Sequence, residues 1–105
     1  MKLNIYIGES QYPIEVPEDM LIDAEPIFDK MDKDMDKGGQ MYRDWVDELS
    51  KPQRCQIVAD RLLTAMESEN EASAMLMAGY IMSRMPGIMN VYISTDGDIT
   101  QTQLA

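Results

Sequence analysis

Apolar and polar positions alternate at the start of the chain. Leu3, Ile5 and Ile7 are separated by Asn4 and Tyr6, and after Gly8-Glu9-Ser10-Gln11 the alternation resumes at Tyr12, Ile14 and Val16. Period 2 with β-branched and aromatic residues predicts two half-buried strands, over 2–8 and 12–16, joined as a hairpin. Pro13 and Pro17 put the second strand at a sheet edge, where a missing N–H is tolerated. The period then lengthens. Met20, Leu21 and Ile22 make one helical turn, and Asp23 is expected to cap a helix over about 24–37 with Pro26 in its first turn. Ile27, Met31 and Met35 recur on that helix at i, i+4, i+8 with Phe28 beside them, while Asp and Lys fill the other face. Gly38-Gly39 ends it, and Met41, Trp45 and Leu49 predict a short helix over about 40–49.

The next two elements carry stronger signals. Ser50-Lys51-Pro52-Gln53 reads as a capping box opening a helix over about 51–67, with Cys55, Val58, Ala59, Leu62 and Met66 as its buried face. Asn70, or Ser68 with Glu71, starts a second helix that Pro86-Gly87 stops after Arg84. Two capped helices with a short connection predict an antiparallel helical hairpin, its broadly apolar second member lying centrally. Val91 and Ile93 alternate with Tyr92 and Ser94, predicting a third strand. Asp96-Gly97 turns the chain toward a weak return strand over 98–103 or a loose tail over 101–105. The expected fold is α+β: one domain over 1–105, with a small antiparallel sheet (the N-terminal hairpin plus a C-terminal strand) packed on about four helices.

Charge is unevenly distributed along the chain. The 105 residues carry a net −10, and residues 9–48 alone account for −9. Direct nucleic-acid binding is therefore not expected, because it relies on Lys and Arg to neutralise phosphates. A basic protein partner is the natural counterpart. An acidic mimic of nucleic acid, blocking a DNA- or RNA-binding protein, is a further alternative. A single Cys excludes an internal disulfide, and there is no His to shuttle protons near neutral pH. The N-terminus lacks the uninterrupted apolar run of a secretory signal, and no segment reads as a membrane span, so a cytoplasmic location is expected.

Candidate chemistry is sparse. Asp32, Asp34 and Asp36 fall at the spacing of positions 1, 3 and 5 of a calcium loop, so the segment resembles the opening of an EF-hand. The pattern departs from that motif at Lys37, where Gly belongs, and at Arg43, where the bidentate Glu belongs. A divalent-cation site on these three aspartates, with Asp96 and Asp98 as further oxygen donors, is the alternative reading. Eleven Met residues supply thioethers, yet without His or a second Cys they read as adaptable core filling and a surface that would also permit a homodimer. Cys55 has no His to activate it, and no catalytic motif, phosphate-cradling loop or cofactor signature stands out, so no enzymatic activity is expected. The reading that results is a protein-interaction module whose contact surface lies within 23–48. Asp29, Asp32 and Asp36 would steer a basic partner there, and Met31, Met35, Tyr42 and Trp45 would hold it.

Overall fold

The computed structural model describes residues 1–105 and has the expected α+β architecture, a small sheet packed against four helices. The N-terminal hairpin comprises β1 (Lys2–Ile7) and β2 (Ser10–Glu15), paired antiparallel with Leu3 opposite Ile14 and Ile5 opposite Tyr12. Helix α1 (Glu18–Asp23) and helix α2 (Glu25–Met35) follow, then a small hairpin of β3 (Gly39–Met41) and β4 (Asp44–Val46). Helices α3 (Lys51–Glu67) and α4 (Glu71–Arg84) form the antiparallel pair, and β5 (Asn90–Ile93) and β6 (Gln103–Leu104) complete the sheet. Strand order is β2-β1-β5-β6.

Local signals account for the helical pair. Gln53 N–H donates to Ser50 Oγ at 3.2 Å while Ser50 N–H donates to Gln53 Oε1 at 2.9 Å, the reciprocal capping box. Asn70 Oδ1 accepts from Ser73 N–H at 3.1 Å and caps α4. Between them, Asn70 N–H reaches Ala65 O at 2.8 Å and Glu69 N–H reaches Met66 O at 3.1 Å, the bond pair of a Schellman ending. Leu3, Ile5, Phe28, Val58, Leu62, Tyr80, Ile81 and Val91 are among the 21 buried residues of one contiguous core cluster.

Four expectations are corrected. The segment expected as a helix over 40–49 is the β3–β4 hairpin. Met41 and Leu49 are buried as anticipated, but Trp45 lies outside, 58% exposed. A helix of ten residues without a capped start is marginal, and Tyr, Trp and Val favour the pleated alternative. Asp23 does not cap α2. Ala24 occupies that position with no side-chain bond, because α1 and α2 abut. The buried stripe of α2 is Phe28, Met31 and Met35, and Ile27 faces out. Lastly, the sheet is mixed: β5 pairs with β1 in parallel, Ile5 opposite Val91. A strand reached through a long crossover takes its direction from where the last helix ends, which periodicity does not encode. The C-terminal return is short, a 3-10 turn (Ile99–Gln101) and then β6. The last residue is tied down, Ala105 N–H donating to Asn90 O at 2.9 Å.

Candidate protein-docking surface

The expected contact surface includes the acidic helix α2. Along α2, Glu25, Asp29, Asp32 and the capping Asp36 fall at i, i+4, i+7 and i+11, a single stripe beside the buried Phe28, Met31 and Met35. Two arginines from the helical pair occupy that stripe. Arg84 Nη1 meets Glu25 Oε1 at 2.7 Å, its Nη2 meets Asp29 Oδ1 at 3.0 Å, and its Nε meets Asp32 Oδ2 at 2.8 Å. Arg54 Nη2 meets Asp36 Oδ1 at 2.8 Å and its Nη1 donates to the Asp32 carbonyl at 3.1 Å. The Tyr80 hydroxyl donates to Asp32 Oδ1. The Arg84 guanidinium also lies 5.7 Å from the Phe28 ring centroid and 5.5 Å from that of Tyr80.

This network sets the local electrostatics. Burial works to raise the Asp32 carboxyl, but the Tyr80 hydroxyl and Arg84 outweigh it and hold it below the ordinary carboxylate range. Tyr80 is pushed above the usual phenol range by burial and by its bond to Asp32. Burial, reinforced by the Asp32 charge, pushes the Cys55 thiol up to about 12, which leaves it an inert core residue.

Most of the residues expected to bind a partner are therefore committed internally. Met31 and Met35 are core residues, and Asp29, Asp32 and Asp36 face arginines rather than solvent alone. The expected cation site is not assembled either. Asp32 and Asp36 turn to Arg54, Asp34 projects outward one residue pair away on the same helix, and no three acidic side chains gather to hold a metal. Alternate residues of a helix diverge by about 200° around its axis, so a loop spacing becomes useless once the segment is helical. Asp96 is spent locally, accepting from Ser94 Oγ at 2.6 Å and Asp98 N–H at 3.1 Å, and Asp98 Oδ1 accepts from Thr100 N–H at 3.0 Å.

Tyr42 and Trp45 do stand at the surface, brought there by the β3–β4 hairpin. Tyr42 and Arg43 close the turn between Met41 and Asp44. Tyr42 adopts φ 57°, a left-handed conformation that costs a bulky L-residue about 1–2 kcal/mol. Its ring is covered by the Arg43 guanidinium at 5.1 Å. Trp45 Nε1 donates to Asp47 Oδ1 at 3.0 Å, which fixes the indole while leaving its face in water. Below it, Gly38 has φ 97°, and a Cβ there would lie 2.5 Å from Val46 O and 2.9 Å from Trp45 Nε1. Replacing Gly38→Ala is accordingly expected to cost about 1–2 kcal/mol and to shift Trp45 emission as the indole loses its seat. An unchanged emission spectrum and melting temperature would refute this packing.

The surface also holds an open groove of about 940 Å³ between β2 and the α3–α4 turn. Sequence reasoning missed it, since its two walls are about 50 residues apart in the chain and their glutamates read as ordinary solvated positions. No helix of the chain is long and apolar enough to cross a membrane. Compared with protein-family models, curated proteins and solved structures, the chain matches none.

Proposed function

We propose that this chain is a binding protein rather than an enzyme, an acidic interaction module that engages a basic protein partner through the β3–β4 hairpin. The observation that carries this is Trp45. The largest side chain of the protein is held 58% exposed on a hairpin whose tip, Tyr42, sits in a strained backbone conformation. Burying an exposed indole is strongly favourable, and Trp, Tyr and Arg are the residues that dominate binding energy at protein interfaces. A locked indole also loses little rotamer freedom when it is covered. Asp44, Asp47 and Glu48 lie exposed around it and form no ion pair, so they remain available to steer a cationic surface. Within the segment expected to form the contact surface, Glu25, Asp29, Asp32 and Asp36 are engaged by Arg54 and Arg84, and the hairpin takes the role.

Affinity capture with the intact chain at low and high salt tests this. A partner should be retained at low salt, released at high salt, and lost when Trp45→Ala is used as bait. Since the indole is mostly exposed, that variant should stay within about 1 kcal/mol of the parent in stability, so a folding defect will not mimic the loss. Capture of the same proteins by parent and Trp45→Ala would sink the hairpin as the contact site.

A further inference from the structure

The groove at the other end of the helical pair has a construction of its own. The β3–β4 hairpin rests on the first half of α3, where Gly39 lies against Ile57, and on Leu49 just before that helix, whereas the groove uses only the C-terminal end of α3 from Leu63 onward. Its floor is apolar: Ile14 from β2, Leu63 and Met66 from α3, and Met75 from α4. Tyr12 and Ile14 project from β2 on the same side as the fully buried Leu3 and Ile5, yet Tyr12 is 45% exposed. The helical layer therefore stops short of the edge strand and leaves the helix-facing side of β2 partly uncovered.

The rim is acidic. Glu15, Glu67, Glu69 and Glu71 line the opening, and no Lys or Arg is among the lining residues. Only Glu15 has a cationic partner, the terminal amino group of Met1 at 3.1 Å; the other three form no ion pair. Glu69 is placed at a structural cost. It occupies the position after the α3 C-cap with φ 56°, the left-handed site of the Schellman ending that glycine fills without strain.

We infer that this groove docks an amphipathic helix of a partner protein, one whose apolar stripe is flanked by Lys or Arg. Charge selects a cationic occupant, because the unpaired Glu67, Glu69 and Glu71 beside an apolar floor repel an anionic one and attract ammonium or guanidinium groups at the flank of a bound stripe. A second copy of this chain, itself at −10, would set acidic surface against acidic rim. Backbone geometry disfavours a strand. Met1 and Val16 exchange both backbone bonds, at 2.7 and 2.9 Å, so alternation along the ladder points the outer-edge groups of Gln11, Pro13 and Glu15 away from β1. Pro13 has no N–H to give an added strand at the centre of that edge. A helix needs no backbone bonds from its host. One turn with its side chains fills roughly 500 Å³, so about two turns fit the 940 Å³ available and would extend the helical layer beneath β2. The two thioethers suit such an occupant, since Met adapts its shape to the side chains that cover it.

The probe is a fluorescein-labelled 18-residue peptide of Leu and Lys with Leu at helical period, titrated with the intact chain. Comparison peptides carry the same residues in strict alternation, or Lys with Gln in place of Leu. The helical-period peptide should bind, with affinity falling as salt rises, at least about tenfold tighter than either comparison peptide. The triple variant Glu67→Gln, Glu69→Gly, Glu71→Gln should weaken it at least about tenfold. Removing equal charge elsewhere with Asp19→Asn, Asp23→Asn and Asp34→Asn should change the dissociation constant by less than about threefold. Glu69→Gly alone should raise the melting temperature by a few degrees while weakening the peptide, a pairing that a folding defect does not produce. Methyl resonances of Met66 and Met75 should move on binding. Equal binding of the alternating peptide, equal loss in both charge variants, or still methyl resonances would each overturn the inference. So would a concentration-dependent dimer that masks these methyl groups.

Discussion

Phe28→Ala is expected to destabilise the protein by about 3–5 kcal/mol, the largest effect of any single truncation on α2. The ring is fully buried and stands edge-on to Tyr80, with centroids 6.0 Å apart and planes at 84°. Edge-to-face geometry adds to the area term. The ring also explains Gly79 in the middle of α4. A Cβ at that position would lie 3.1 Å from Phe28 Cζ and 3.3 Å from Met20 Cε, so the glycine leaves room for the ring and for the side chains of α1. Removing the ring leaves a cavity between elements that cannot collapse freely, since Arg54 and Arg84 hold α2 in place from its acidic side. Denaturant titration followed by far-UV circular dichroism should show the fall as a shifted midpoint at nearly constant slope. A loss under about 1 kcal/mol would mean that α2 docks by its charges and not by this ring.

Asp32→Ala is expected to cost about 2–3 kcal/mol, and to change how stability responds to acid. The carboxylate accepts from Tyr80, from Arg84 Nε at 2.8 Å and from Arg54 at 3.5 Å, and truncation leaves a half-buried arginine and a buried phenol short of an acceptor. Tyr80→Phe should cost less, about 1 kcal/mol, because it removes the donor along with its need. Combining the two should cost less than their sum, which a double-mutant cycle would measure. The sign of the pH effect follows from the direction of the shift. Asp32 is more acidic folded than unfolded, so its contribution is fully present above the unfolded value of about 3.9 and is lost as pH falls through the lower folded value. Stability of the parent should therefore decline below about pH 4 more steeply than that of Asp32→Asn. Parallel pH profiles for the two proteins would refute the assignment of this acid-sensitive component to Asp32.

These two residues also show why the acidic helix was misread. Periodicity marks Ile27, Met31 and Met35 as the buried stripe with Phe28 beside them, whereas Phe28, Met31 and Met35 are buried and Glu25, Asp29, Asp32 and Asp36 run alongside. What periodicity cannot supply is the identity of the surface each stripe meets. One clue was present: Arg84 is the sole base of α4 and adjoins its apolar central run, and a cation that is largely buried there needs an acid opposite it. Trp45 fails differently. Met41, Trp45 and Leu49 share a helical spacing, but that coincidence spans three residues, and the chain places Met41 and Leu49 in the core from a strand and a loop instead.

The N-terminal hairpin, the capped pair over 51–67 and 71–84 and the α+β class are legible in the chain alone, because they rest on signals within a few residues: alternation, a capping box, a stop at Pro86-Gly87. Tertiary docking alone sets Arg54 and Arg84 against the acidic stripe of α2, runs β5 parallel to β1, leaves Trp45 in solvent, and brings Glu67, Glu69 and Glu71 to an apolar groove beside β2. Each of these depends on which elements dock and in which direction. That choice is made by the sum of many weak contacts between residues distant in the chain, and no local pattern records it.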